Sequence, residues 1–397
     1  MMRKTFISLS VASFTLSLSP LASAEFLKDS KANVELRNFY FNRDFRQDTA
    51  SQSKQEEWAQ GFLMRYESGY TEGTVGVGFD AIGMLGLKLD SSPDRTGSGL
   101  LPRSIESPRR AQDDYSKLGA TAKLKVSKSV VKIGTLMPKL PTVQSNDSRL
   151  LPQSFQGGQL NSMEIDGLTL DAGQLKQINL RDSSNNEDMT ISSGGPRGII
   201  VRGGQTSDEF NFASLNYKWN KNISTSYSYG GLDGLYKQNI VNFIHVLPLD
   251  EKQQFKSDLR YARSTDDGNS NVDNTALGAM FTYAFYGHQL GLGYQKMIGD
   301  TGYAYINGSD PFLVNFVQIG DFSNKEEKSW QARYDFNFAS VGIPGLTFMT
   351  RYISGDNVDL GSGKPSGKEW ERNMDIAYVF QEGALKNLGI KWRNATV

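Results

Sequence analysis

Apolar and polar residues alternate along most of this chain. From position 330 to 338, Trp, Ala, Tyr, Phe and Phe occupy every second position, with Gln, Arg, Asp and Asn between them. Successive side chains of a β-strand point to opposite faces, so the pattern predicts a strand with one apolar and one polar face. The same period of two recurs at 75–81, 123–126, 223–229, 289–295 and 388–393.

The connections between these segments differ in length. Short turns are predicted at 127–129, 220–222 and 342–345, whereas long polar stretches lie at 90–114, 181–197, 264–274 and 354–370. Strands of about ten residues that are joined by short turns at one end and long loops at the other are typical of a transmembrane β-barrel. At about 20 residues per strand and connection, the chain predicts an all-β antiparallel barrel of roughly 16–18 strands.

The first residues resemble a secretory signal peptide. Arg3 and Lys4 precede an apolar stretch at 6–16, and Ala-Ser-Ala at 22–24 supplies a cleavage site. We therefore divide the chain into a signal peptide at 1–24 and an outer-membrane barrel at 25–397. The apolar stretch is shorter than the roughly 20 residues that a membrane-spanning helix needs.

Composition narrows the possible functions. The chain has 43 Lys and Arg against 43 Asp and Glu, a balance that argues against a nucleic-acid-binding protein. It contains no Cys, so disulfides and thiolate metal sites are excluded. The two histidines, His245 and His288, lack metal-binding spacing. We expect no metal, no cofactor and no catalytic residue.

Cations occupy the polar faces of the predicted strands. A charge that faces hydrocarbon costs about 2–4 kcal/mol at the middle of a bilayer, so these side chains are expected to point into the barrel. Guanidinium groups bind carboxylates bidentately, and a series of cations offers an anion successive binding sites. We call this set the basic ladder: Lys123, Lys125, Lys132, Arg260, Arg333, Arg351, Lys391 and Arg393.

A structural explanation of the basic ladder stands beside the functional one. Carboxylates on the same faces, such as Asp80, Asp258 and Asp335, would neutralise the cations within an ordinary network of ion pairs. Arg351 also fits its face less cleanly than the others, because Met349 and Ile353 share it.

Five stretches carry a more specific signal. They are GFDA at 78–81 with LGLKLD at 85–90, SRLLPQSF at 148–155, KSWQARYD at 328–335, PGLTF at 344–348 and WRNAT at 392–396. These strings resemble the OprD family of outer-membrane substrate-specific channels. The resemblance implies an 18-stranded monomeric barrel, surrounded by outer-membrane lipid, in which inward-folded loops narrow the pore and a basic ladder faces electronegative groups.

The resemblance also assigns roles to particular residues. It adds Arg149 to the basic ladder, in a constriction loop that begins near Pro138, and it supports Arg333, Arg351, Lys391 and Arg393. It places Tyr305, Ser309 and Asp310 in a second pore-narrowing loop. The family continues beyond its WRNAT segment into a last strand, so we expect about one strand to be missing where this chain stops at Val397.

The sequence favours passive uptake of small carboxylate-containing molecules, either amino acids or cyclic and aromatic acids. Two alternatives remain at this point. A surface adhesion or structural barrel would need no ordered cations, and a barrel enzyme would need His245 or His288 beside a nucleophile or carboxylate.

Overall fold

A computed structural model describes residues 26–46 and 50–397, and the predicted signal peptide lies outside these ranges. The strands are β1 Lys31–Asp44, β2 Lys54–Glu67, β3 Val75–Asp90, β4 Asp114–Val126, β5 Ser129–Leu136, β6 Lys139–Leu140, β7 Val143–Gln144, β8 Ser154–Ser162, β9 Leu168–Asn179 and β10 Phe210–Lys218. They continue as β11 Ile223–Leu232, β12 Tyr236–Pro248, β13 Gln253–Asp266, β14 Asp273–Phe285, β15 His288–Ile298, β16 Lys328–Asn337, β17 Leu346–Val358, β18 Gly367–Val379 and β19 Gly389–Thr396. Short 3₁₀ helices occupy Gly195–Arg197, Arg202–Gly204, Phe338–Val341 and Gly383–Leu385.

Within the described part of the chain, seventeen strands form one antiparallel sheet, in which each strand pairs with the next one along the chain. The hairpin β6–β7 stands apart, within the connection between β5 and β8. Arg149 stacks on Phe41 of β1, and the charge of Arg393 on β19 also acts on it. The first and last strands therefore approach the same side chain, and the sheet curves into the predicted all-β barrel.

Connections of different length lie at the two ends of the barrel. Short turns such as 127–128, 219–222 and 286–287 share one end. The other end carries the long loops 91–113, 137–153, 180–209 and 299–327.

Two of the predicted long loops are shorter than expected. The stretch at 264–274 reduces to 267–272, and the stretch at 354–370 reduces to 359–366, because strands occupy the rest of each. Polar residues predominate in these strand ends, so the period of two is weak in the sequence although the strands still pair there, with a bulge between Gly355 and Val358.

The outer face of the sheet is apolar. Leu290, Leu292 and Tyr294 on β15 are exposed by 48%, 65% and 49%, as the lipid-facing positions of a barrel should be. Near the long-loop end, the ring of Tyr352 lies 5.7 Å from Trp330 and 6.0 Å from Trp370, which forms part of an aromatic girdle. No helix among the described residues has the length and apolar character to cross a bilayer.

The histidines lie on strands near the short-turn end. His288 Nδ1 is 2.8 Å from Tyr334 Oη, and the ring packs 4.5 Å from Phe336. In the sheet, His245 faces Ile223 on one side and Ser257 on the other. His288 thus belongs to the aromatic belt at this end of the barrel.

The apolar outer face leads to a first prediction. Leu292→Arg places a guanidinium against hydrocarbon and is expected to lower the free energy of unfolding by about 2–4 kcal/mol. Urea titration of the protein in lipid vesicles measures this change. Gln289→Arg is the control, because Gln289 lies on the inner face of the same strand opposite Asp335, and its effect should stay within about 0.5 kcal/mol. Equal losses in both variants would contradict the assignment of the two faces.

Candidate functional site

Loop 137–153 folds into the barrel and is anchored by two leucines. Leu150 and Leu151 are fully buried in a cluster that includes Ala59 and Leu63 of β2. Gly61 lies between Ala59 and Leu63 on β2 and leaves the space that Leu150 needs, since a Cβ at this position would lie 3.1 Å from Leu150 Cγ. The anchor fixes the position of the preceding residue, Arg149.

Arg149 has neutral hydrogen-bond partners. Its Nε donates to the carbonyl oxygen of Ser98 at 3.2 Å, and its Nη1 donates to that of Ser148 at 3.1 Å. Asp147 is held instead by Arg37 of β1, whose Nη1 lies 2.5 Å from its carboxylate. Within residues 26–46 and 50–397, Arg149 forms no ion pair.

Burial lowers the pKa of Arg149 to about 10, and the positive charges of Arg181 and Arg393 act in the same direction. The guanidinium nevertheless remains protonated at neutral pH. The interior of the barrel therefore holds a positive charge that forms no ion pair with the carboxylates of the described residues.

Arg181 is a second arginine at this site, and it was not predicted from the sequence. Its Nη1 donates to Asn146 Oδ1 at 3.2 Å and to Ser148 Oγ at 3.0 Å, and the described residues offer it no ion pair. Lys117 of β4 fixes the backbone on either side of this cluster, since its Nζ donates to the carbonyl oxygens of Leu180 and Pro152. Arg181 follows β9 in a loop, where no alternation marks it.

Loop 299–327 supplies the acidic side of the site. Asn146 Nδ2 donates to Asp310 Oδ1 at 2.5 Å, and Ser309 Oγ donates to Gln153 Oε1 at 3.3 Å. Burial raises the pKa of Asp310 to about 6, whereas the hydrogen bond from Asn146 and the charge of Arg181 act in the opposite direction. Loop 137–153 thus brings Arg149, and loop 299–327 brings the carboxyl group of Asp310, to the site where Arg181 of loop 180–209 also lies.

Tyr305 lies in the same loop but is buried. Its hydroxyl donates to Asp321 Oδ2 at 2.6 Å, and Arg197 stacks on its ring at 5.3 Å. Burial raises the pKa of Tyr305, with the negative charge of Asp321 adding to the effect. Tyr305 therefore supports the loop from within.

Arg351 and Arg333 face each other on β17 and β16. Arg333 Nε pairs with Asp335 at 2.7 Å, whereas Arg351 Nε donates to the amide oxygen of Asn373 at 2.7 Å and makes no ion pair with any described residue. Ile353, which made the face of Arg351 unclear in the sequence, is covered by Val317 and Phe322 of the inward loop. Ile353 is thus buried under the loop although it shares a face with Arg351.

Lys391 and Arg393 share one carboxylate. Lys391 Nζ lies 2.8 Å and Arg393 Nε 3.2 Å from Asp375 Oδ2. Both cations therefore face the barrel interior, as expected, and the pair keeps an excess positive charge.

Three residues of the basic ladder, Lys123, Lys125 and Arg260, lie apart from the arginines described above. Lys123 pairs with Asp80 at 2.5 Å, near the short-turn end, and Lys125 lies over the ring of Tyr70 at 5.5 Å. Arg260 stands on β13, with β14 and β15 between it and Arg333. Its Nη2 pairs with Asp258 Oδ2 at 2.8 Å, and the ring of Phe312 covers it at 4.0 Å. The network of ion pairs accounts for Lys123 and Arg260.

A family model described as outer membrane porin, OprD family, matches residues 24–397. The chain belongs to this family. Porin D of Pseudomonas aeruginosa is 38% identical over 395 residues, which cover 93% of this chain and 86% of Porin D. The crystal structure of OpdQ from the same organism is 68% identical with a TM-score of 0.87, covering 94% of this chain and 93% of OpdQ. The crystal structure of P. aeruginosa OpdK with vanillate is 38% identical with a TM-score of 0.84, covering 93% of this chain and 94% of OpdK.

Membership in the OprD family decides several points. The chain is an outer-membrane β-barrel porin, and its relatives are channels rather than enzymes. The barrel-enzyme alternative is therefore rejected. The OprD family also consists of substrate-specific channels for small molecules, so Arg149, Arg181 and Asp310 of the loops, together with Arg351 on the barrel wall, are the candidate selective residues.

The raised pKa of Asp310 predicts a pH-dependent selectivity. Lowering the pH from 7.5 to 5 protonates this carboxyl group and removes the negative charge beside Arg181, so the permeability ratio of chloride to potassium should rise. Reversal potentials in a KCl gradient measure the ratio. Asp310→Asn should hold it near the low-pH value at both pH values, whereas Asp166→Asn, in an exposed turn, should keep the pH dependence of the unaltered protein. A full pH response in Asp310→Asn would contradict the assignment.

Proposed function

We propose that this porin admits small carboxylate-bearing molecules, amino acids or cyclic and aromatic acids, through a constriction formed by Arg149, Arg181 and Arg351. One observation carries the proposal. Each of these three guanidinium groups is hydrogen-bonded only to neutral acceptors among the described residues. A carboxylate that enters the site therefore meets cations that no protein carboxylate already occupies.

The remainder of the basic ladder explains why such a molecule would not be trapped. Arg333, Lys391 and Arg393 already share carboxylates with the wall, so they attract an anion less strongly than the unpaired arginines. A substrate leaves the constriction for a series of weaker sites, which is the arrangement that conduction requires. Passage is passive in this mechanism. One barrel contains the whole path, so we propose a monomer in outer-membrane lipid.

The acidic side of the constriction would orient the substrate. Asp310 lies across Asn146 from Arg181 and offers an acceptor to an amino or hydroxyl group at the other end of a carboxylate-bearing molecule. The crystal structure of OpdK contains vanillate, an aromatic carboxylate, which supports this substrate class for a relative of the same fold.

Block of single channels tests the proposal. Arg149→Gln should weaken block by benzoate about tenfold or more, because a hydrogen bond to a charged group contributes about 1.5–3 kcal/mol. Arg333→Gln should weaken it less, since Arg333 is already paired with Asp335. Planar bilayer recordings with increasing benzoate measure both, and arginine tested in parallel distinguishes the two substrate classes.

Arg109→Gln is the control for the loss of one positive charge, because Arg109 lies exposed in the long loop 91–113. It should leave block unchanged. If the barrel conducts but benzoate blocks it equally well before and after Arg149→Gln, the carboxylate proposal is contradicted. A barrel that never conducts would favour the adhesion or structural alternative.

A further inference from the structure

Glu371 on β18 is a fully buried carboxylate that no lysine or arginine pairs with in the described ranges. Two backbone N–H groups of the inward loop donate to it, from Ile319 at 3.1 Å and from Gly320 at 2.6 Å. A third donor is Asn373 Nδ2, at 2.6 Å. Burying a charge is costly unless hydrogen bonds compensate it, and here three donors do so.

Asn373 connects this carboxylate to the constriction. A carboxylate only accepts hydrogen bonds and a guanidinium only donates them, so the amide between them has one satisfactory orientation. Its Nδ2 must face Glu371 and its Oδ1 must face Arg351, whose Nε donates to it at 2.7 Å. The direction of these hydrogen bonds is therefore set by Glu371 at one end and by Arg351 at the other.

We infer that Glu371 is a positioning residue that holds Arg351 in the constriction through the amide of Asn373. This inference deepens the proposed function and rests on it. Glu371 is not itself an ion-pair partner of Arg351, so it fixes the guanidinium without occupying the face that a substrate carboxylate would bind.

A similar arrangement supports Arg149. Glu57 on β2 is also fully buried, and it accepts hydrogen bonds from the backbone N–H of Ser98 at 2.9 Å and from Thr96 Oγ1 at 2.9 Å. The carbonyl oxygen of the same Ser98 accepts from Arg149 Nε. At two places, then, a buried carboxylate accepts hydrogen bonds from the backbone of an inward loop. In each case a neutral group that is bonded to this carboxylate, or that belongs to the same residue as one of its donors, accepts a hydrogen bond from an arginine.

Glu371→Gln separates this role from simple electrostatics. A glutamine has one acceptor, which Ile319 and Gly320 would take, so its NH₂ group would face Asn373. The Asn373 amide would then turn and present its own NH₂ group to Arg351, where two donors repel. Loss of a negative charge alone should strengthen carboxylate block, whereas displacement of Arg351 should weaken it.

The experiment is a double-mutant cycle in planar bilayers with benzoate as the blocking anion. Glu371→Gln should weaken block about tenfold in the unaltered background and less than twofold in the Arg351→Gln background, because the cycle isolates effects that pass through Arg351. The permeability ratio of chloride to potassium, measured in the same channels without benzoate, should fall in Glu371→Gln.

Two further variants control for folding and for loop movement. Asn373→Ala breaks the connection without changing charge, and it should match Glu371→Gln in block and in the cycle even if Glu371→Gln inserts poorly. Gln295→Leu removes a different anchor of the same loop, since Gln295 Nε2 donates to the carbonyl oxygen of Phe322 at 2.6 Å and its Oε1 accepts from the backbone N–H of Asn315 at 3.1 Å. It should leave the benzoate affinity within twofold.

The possible outcomes distinguish the positioning role of Glu371 from the proposed carboxylate channel. Unchanged or stronger block and a higher chloride preference in Glu371→Gln, or equal losses with and without Arg351, would overturn the positioning role while leaving the carboxylate channel intact. Absence of benzoate block in the unaltered protein would instead contradict the proposed function, and the permeability ratios would then decide the role of Glu371 alone.

Discussion

A charged or polar group inside this barrel has to find water or a hydrogen-bond partner, because hydrocarbon on the other side of the wall offers neither. That constraint directs the strand cations inward, where Arg333, Lys391 and Arg393 reach the carboxylates of Asp335 and Asp375. It also leaves the outer face to apolar and aromatic side chains. The inward position of these charged groups is thus a consequence of how a strand can be placed in a membrane.

The inward loops compete for the same partners. Backbone N–H groups of loops 91–113 and 299–327 are satisfied by the buried carboxylates Glu57 and Glu371, which are then not available to pair with cations. The nearby arginines Arg149 and Arg351 donate to neutral oxygen atoms instead. The loops that narrow the interior therefore also help to keep its arginines uncompensated.

Asn146 joins the two sides of the constriction. Its amide oxygen accepts from Arg181 and its NH₂ group donates to Asp310, so a single neutral side chain keeps a cation and a carboxyl group close without an ion pair between them. A direct ion pair would satisfy both groups and leave little for a substrate to bind. In the proposed function, the separation of opposite charges gives this site its capacity for selection.

The sequence by itself determined the barrel, its two faces and the inward position of most ladder cations, because alternation with a period of two is a local property of strands. It did not reveal Arg181, Asn146 or Glu371 as parts of a site. Loop residues carry no period, and their partners lie far away along the chain, as the contact between Asn146 and Asp310 shows. Which cations remain unpaired was decided only by the tertiary structure, since ion pairs depend on distances between strands and loops that no local pattern records.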